Sequence, residues 1–323
     1  MITVLVRSGG RVTTTDQVDP AWLRPDSDAI VWVDLANPTA EEGRILSGVF
    51  GFHELAVEDA LAESHHPKIE PYDDYLYVIL HGIDFEATRK KRGFTTRDVD
   101  FFLSDRYLVT VHDGRSRSIA AVRDVCLRNG DVLRDGTAGL MYRIVDAMVD
   151  NYRPEVDRLE QQIDRLETEV FTRARHGMIR TILATKRDII SLRQVVQPQR
   201  DVIGRLARRE FRLIDTQAGY RFRDVYDHLV RLSDESLMFQ DRATSLVEAH
   251  LSSVSNQLNT VMKILTVIST IFMPLTFVTG LFGMNVTLPH FGLGDDVLFW
   301  ALLLFMVALV GFMLSWFRKR GWL

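Results

Sequence analysis

Cysteine is nearly absent: Cys126 stands alone in 323 residues. That excludes an intrachain disulfide framework and fits a reducing compartment for the water-exposed part. A leader is not evident either, because Met1 to Val6 is only a short apolar run with no basic region before it, followed by Ser8-Gly9-Gly10; it reads as a strand rather than a signal peptide. Charge of one sign is not in excess, the net being −4, which gives no reason to expect a nucleic-acid partner. Enzyme motifs are missing as well. His53-Glu54 begins like a zinc-protease motif, but Val57 stands where the second histidine is required, and neither a Gly-x-Ser-x-Gly elbow nor a Walker loop occurs. The chain is therefore not expected to be an enzyme or to couple to ATP within itself.

Residues 1–137 have mixed texture. Strand-like runs lie at Ile2 to Val6, Ile30 to Leu35, Tyr75 to Leu80, Val99 to Leu103 and Leu108 to Val111. Thr39-Ala40-Glu41-Glu42 after Pro38 is a capping box, and Ser104 to Tyr107 suits a hairpin turn. An α+β domain, a mixed sheet with flanking helices, is predicted there. From 138 to 219 the pattern is that of a long peripheral helical hairpin: Val156, Leu159, Ile163, Leu166 and Val170 step by three and four, and Ile189 to Leu206 form a second stripe that Pro198 should break or kink. The Arg and Glu residues between them read as a solvated face.

Glycine and proline then vanish from Tyr220 to Met273, so a single helix is expected over 220–282. Its stripe Val247, Leu251, Val254, Leu258, Val261 and Leu265 runs in 4-3-4-3-4 spacing straight into an apolar segment. At 1.5 Å per residue such a helix is about 95 Å long, against a hydrocarbon core of about 30 Å, so much of it must stand in water. Ile264 to Phe282 carries no charge, and neither does 297–317; each can span a bilayer. Lys263 precedes the first span and Arg318-Lys319-Arg320 opens a basic tail, 318–323, after the second, while the loop 283–296 has no Lys or Arg. The positive-inside rule puts both termini in the cytoplasm of a multi-pass cell-membrane protein. Asp295 and Asp296, the formal charges of that outer loop, would attract cations or simply start a helix.

Two spans cannot enclose a polar pathway, so a pore needs a homo-oligomer. Met262, Ser269, Met273, Thr276 and Gly280 share one face of the first span, whereas Ile264, Val267, Ile268 and Ile271 are greasy. The second span, apolar throughout with Trp300 and Trp316 near its ends, belongs in lipid. At the outer end of the first span comes Gly283-Met284-Asn285. A ring of Asn285 amide carbonyls would hold a hydrated divalent ion through its waters, and Gly283 lets the backbone turn. An ordinary helix-ending turn is the other reading of the tripeptide. A membrane-anchored scaffold is the competing function, although it has no use for a polar stripe on the first span.

The segments 252–256, 261–266 and 271–277, the end Gly280-Leu281-Phe282-Gly283-Met284-Asn285, the tail Phe317 to Leu323, and upstream Trp32-Val33-Asp34-Leu35-Ala36-Asn37-Pro38-Thr39 and Arg223 to His228 together resemble the CorA family of divalent-cation transporters. The resemblance covers essentially the whole chain. It implies a funnel-shaped pentamer transporting Mg²⁺, with Co²⁺ or Ni²⁺, in which Asn259, Met262, Leu265, Met273, Thr276 and Asn285 line the pore and Met262 and Leu265 form its constriction. It also implies regulatory Mg²⁺ at Asp224, with Asp84 or Glu86 as its partner. One departure is that Val286-Thr287-Leu288-Pro289-His290 replaces the family's Met-Pro-Glu-Leu run. With His290 a borderline ligand, a Zn²⁺ transporter like the ZntB branch, proton-coupled or not, stays open beside Mg²⁺. His65-His66 reads as a surface turn. An inside-negative potential drives a divalent ion inward by about 4.6 kcal/mol per 100 mV, enough for passive uptake.

Overall fold

The computed structural model describes residues 1–24, 26–62, 66–90, 94–172, 177–284 and 295–322. Two compact units emerge, one made of 1–169 with 175–247, the other of 170–174 with 248–323. The first unit contains a seven-stranded sheet ordered β2-β1-β3-β7-β6-β5-β4. Its strands are β1 (Ile2–Ser8), β2 (Arg11–Thr15), β3 (Ile30–Ala36), β4 (Lys68–Pro71), β5 (Leu76–Ile83), β6 (Thr96–Leu103) and β7 (Tyr107–His112). Only β3 and β7 run parallel among these pairs, as expected for a mixed sheet. All five strand-like runs of the sequence fall on strands.

Strands β2 and β4 were not foreseen, and both are edges. Each has a single apolar residue, Val12 or Ile69, and β4 closes on Pro71; an edge strand needs no alternating apolar pattern, and proline is tolerated there. The central strand β3, Ile-Val-Trp-Val-Asp-Leu-Ala, reads almost continuously apolar because both its faces are covered. Val31, Val33 and Leu35 join Val4, Ile79, Phe102 and Val111 in one core layer, closed by Leu46 of α1 (Ala40–Gly48) and Ala56 and Ala60 of α2 (Glu54–Leu61). Phe52, in the loop between these helices, stacks on Phe102 at 4.1 Å. Thr39 and Glu42 make the capping box reciprocally, which satisfies two otherwise orphaned N–H groups at the start of α1.

The opposite face is polar at one place. Buried Asp34 accepts from the Thr110 hydroxyl at 2.7 Å, from His112 Nε2 at 3.1 Å and from Arg123 at 3.3 Å, while Trp32 Nε1 donates to Thr110 Oγ1 at 3.1 Å. The Trp32-Val33-Asp34 string is thus a structural staple between β3 and β7, every buried group of it paired. Short α3 (Phe85–Lys90) follows β5, and α4 (Arg117–Arg128) follows β7. Helix α5 (Gly136–Asp150) lies against β3, β5, β6 and β7 and buries Leu140, Met141, Ile144, Val145 and Met148.

Helices α6 (Arg153–Thr172) and α7 (Met178–Ala207) follow, the stripe Val156, Leu159, Ile163 and Leu166 being buried as its spacing predicts. Of the break or kink expected at Pro198, the break does not occur, since α7 runs through it. A helical proline costs about 3 kcal/mol, whereas Ile189, Leu192, Val196, Val202 and Ile203 on the buried face contribute about 1.5 to 3 kcal/mol apiece; burial outweighs the lost bond. Helix α8 then extends unbroken over Thr216–Phe282. In the second unit its later part packs on α9 (Asp295–Lys319) through Val267, Ile271 and Leu275 against Val310, Met313 and Phe317. Both helices are long and apolar enough to cross a membrane. They differ from soluble core helices in being bare: Met273 is 77% exposed, Leu304 75% and Phe312 69%, surface that only lipid or further protein can cover.

Candidate cation site

With 100° per residue, the side chains of α8 that touch α9, Val267, Ile271 and Leu275, centre on one azimuth. Met262, Leu265, Ser269, Met273, Thr276 and Gly280 centre about 160° away from it on the same geometry. All six are exposed. The stripe residues Leu251, Leu258 and Leu265 lie on that same side and are likewise exposed, at 55% or more. So α9 covers one flank of α8, and the flank that sequence periodicity assigned to a pathway or subunit contact is left open. Asn259 lies on it too, exposed, and helps line an open hollow with Asn256, Thr260, Lys263, Thr266 and Trp322.

The polar groups of this span cost little in an apolar medium, because the hydroxyls of Thr260, Thr266, Thr270 and Thr279 donate back to the carbonyls four residues earlier at 2.7 to 3.0 Å. The span ends where Gly283 N donates to Thr279 O at 2.8 Å. A Cβ on Gly283 would sit 2.9 Å from that same carbonyl, so the position requires glycine for want of space. Met284 follows, 54% exposed. Asn285, the loop sequence Val286 to His290 and the side chain of Asp295 lie outside the described residues; Asp296 is exposed near the start of α9. His65 is outside as well, and His66 is exposed. At the other end, Arg318 and Lys319 close α9, and Arg320 lies over the Trp316 ring at 5.0 Å, a pairing suited to the headgroup layer.

The three residues expected at a regulatory cation site stand in unlike surroundings. Asp84 is buried and already serves three partners: it accepts from the backbone N–H groups of Glu86 and Ala87, and its other oxygen meets Arg97 at 2.5 Å. Burial opposes the charge, but these bonds and the guanidinium outweigh it and hold the carboxyl below its usual range. A cation at Asp84 must displace Arg97, which also pairs with Asp113. Glu86 is exposed on α3.

Asp224, exposed on α8, faces a group that sequence reasoning missed. Asp146 and Asp150 of α5 and His228 of α8 bring one ligand atom each within 4.8 Å of one another. Asp146 is held above its ordinary carboxyl range by burial and by the like charges of Asp150 and Asp224, and Arg143 and His228 only partly offset this. Like charges held together without an ion-pair partner among the described residues favour a bound cation. The donor set, two carboxylates and an imidazole, fits a small divalent ion that keeps part of its water. The signal was present in the chain as two i, i+4 pairs, Asp146/Asp150 and Asp224/His228, each on one helix face.

Comparison with known proteins agrees with this geometry. Residues 27–319 match the family model described as CorA-like Mg2+ transporter protein. The chain is 31% identical over 314 residues to the putative metal ion transporter YfjQ of Bacillus subtilis, covering 96% of this chain and 93% of that one. It is 30% identical over 303 residues to the cobalt/magnesium transport protein CorA of Thermotoga maritima, covering 92% and 85%. The solved CorA magnesium transporter of Methanocaldococcus jannaschii superposes with a TM-score of 0.85 at 22% identity, covering 100% of this chain and 99% of that one. The open flank of α8, the apolar helix pair and the agreement along the whole chain have one reading: the protein belongs to the CorA family and is a divalent-cation transporter of the membrane, not an enzyme.

Proposed function

We propose that the chain assembles as a homopentamer in the cell membrane and conducts Mg²⁺ inward, with Co²⁺ and Ni²⁺ as lesser cargo. The observation that carries this is the open flank of α8, opposite the face held by α9 and continuous with the exposed stripe Leu251 to Leu265. Copies brought together along it surround an axis lined by Asn259, Met262, Leu265, Met273 and Thr276. Met262 and Leu265 are the apolar constriction, passable to a hydrated ion when widened and dewetted when closed. Gly283 and Met284 lead to a ring of Asn285, whose neutral amide oxygens bind the ion's waters without stripping them. Asp295 and Asp296 raise the cation concentration at this mouth. Both termini are cytoplasmic, in keeping with Lys263 and the basic tail.

Domain organisation follows: a cytosolic α/β domain (1–137), a helical region (138–219), stalk and first span (220–282), outer loop (283–296), second span (297–317) and basic tail (318–323). Regulation runs through Asp224, joined by Asp146, Asp150 and His228, where cytosolic Mg²⁺ favours the closed pore. Asp84 and Glu86 complete that centre only if Arg97 releases Asp84. The names of the relatives, magnesium and cobalt transporters among them, support Mg²⁺ and Co²⁺ as cargo.

The test is ion flux into liposomes holding the purified protein, with Mg²⁺, Co²⁺, Ni²⁺ and Zn²⁺ offered with and without a pH gradient. Mg²⁺ uptake that needs no gradient and is abolished by Asn285→Ala, with assembly unchanged, is the expected result. Gradient-dependent Zn²⁺ uptake would instead identify a zinc transporter, and no flux at all would leave a scaffold.

A further inference from the structure

The register of β5 against β6, in which Leu76 faces Leu103, sets the β4–β5 turn beside the β6–β7 turn at one end of the sheet. With the loop between α1 and α2 these turns border a half-open hollow of about 690 Å³, a size suited to a small organic molecule. It is far from ordinary surface in two respects. Its walls are aromatic: Tyr72 stacks on Tyr75 at 4.7 Å, and Phe50 meets Tyr107 edge-on at 5.0 Å. Its rim is acidic, with Asp73 and Asp74 on one turn and Asp105 on the other.

The charges cancel only in part: the three carboxylates face two guanidinium groups, Arg212, which pairs with Asp105 at 3.6 Å, and Arg106, which donates to the Ser27 backbone carbonyl and keeps its charge, so one negative charge is left over. His53, also at the wall, uses its Nδ1 to cap α2 by accepting from Leu55 N at 3.2 Å. Asp73 and Asp74 have no ion-pair partner among the described residues. Burial pushes the Tyr107 hydroxyl up to about 12, so this ring stays neutral and adds a π face and a hydroxyl, not a phenolate. A bare or hydrated metal ion gains little from such walls, because ring faces supply no oxygen ligand to complete its shell. An alkylammonium gains twice. Its charged heads meet the carboxylates and its methylenes lie on ring faces, where cation–π attraction adds to burial.

We propose that this hollow binds a linear aliphatic polyamine, one ammonium at Asp73 and Asp74 and its alkyl chain across Tyr72 toward Tyr107. The site belongs to the cytosolic sheet domain and is separate from both the α8 flank and the Asp146–His228 cluster.

The probe is spermidine, titrated calorimetrically into the full-length detergent-solubilised protein with Mg²⁺ at saturation, which occupies the divalent-cation sites. Saturable binding of one molecule per chain is expected. It should weaken at least tenfold in Asp73→Asn/Asp74→Asn and in Tyr72→Leu, but persist in Tyr72→Phe, which keeps the ring, and in Asp146→Asn. Absence of saturable binding to the unmodified protein overturns the proposal, as does equal affinity in Tyr72→Leu or in the double variant. Loss in Tyr72→Leu is counted only where its circular dichroism matches that of Tyr72→Phe, and the surface double variant gives an independent reading.

Discussion

Asp100 offers the sharpest test of the energetics. It lies on β6, its carboxyl enclosed, and its Oδ1 accepts from the Tyr77 hydroxyl at 2.6 Å. Burial, reinforced by the charges of Asp98 and Asp59, pushes its pKa up from 3.8 to about 8, although the Tyr77 bond and Lys68 pull the other way. The folded protein therefore binds a proton that the unfolded chain has released across the interval from about pH 4 to about pH 8. Because the folded state holds more protons there, stability falls as pH rises through that window. Each unit is worth about 1.4 kcal/mol, so the loss between pH 4 and pH 7 is about 4 kcal/mol from this group. Asp100→Asn removes the ionisation while keeping an oxygen for Tyr77, and should raise stability at pH 7 by a comparable amount, less whatever the amide N–H₂ loses in pairing. Urea unfolding of the detergent-solubilised protein at pH 5, 7 and 8, followed by circular dichroism, measures it. The variant should already exceed the parent by about 1.6 kcal/mol at pH 5, and the gap should widen by about 1.4 kcal/mol per unit until it levels off near pH 8. Parallel curves for the two proteins would refute the buried, protonated carboxyl.

Gly283→Ala forces a methyl group against the Thr279 carbonyl, 2.9 Å away, and should cut Mg²⁺ flux several-fold with oligomer size on gel filtration unchanged; undiminished flux would mean that the turn is not part of the mouth. Asp146→Asn removes the charge that Asp150 and Asp224 disfavour and should raise the cytosolic Mg²⁺ needed to inhibit flux by about tenfold, the effect of losing ~1.4 kcal/mol of binding. An unchanged inhibition curve would take the cluster out of regulation.

The parts of the fold that were legible in the chain are those governed by local pattern. β3 and the span of α8 declare themselves through apolar runs and the absence of Gly and Pro, and the Thr39–Glu42 capping box through four adjacent residues. Edge strands β2 and β4 do not, since their identity lies in the neighbour they pair with. Pro198 does not end the helix for a related reason: the burial that carries α7 on through it is set by residues of other elements. At the candidate site, the flank of α8 was readable because helical phase orders it. The neutralising partner of Asp84 was not, because Arg97 reaches it only through the pairing of Gly82 with Arg97 across β5 and β6. Asp146 and His228 lie some eighty residues apart, and only the packing of α5 beside α8 unites them.

That α8 carries stalk stripe and open flank on one side, without interruption, makes the spacing between them as consequential as the residues themselves. One residue inserted between Leu251 and Met262 would swing everything downstream by about 100°, turning the stripe out of phase with Met262 and Met273 and presenting flanks to neighbouring copies that no longer match. Seven inserted residues would swing it by only about 20°. In the proposed assembly, stalk length is therefore a specificity determinant: heptad insertions preserve the match between copies, while single insertions or deletions there are expected to separate assembly from conduction.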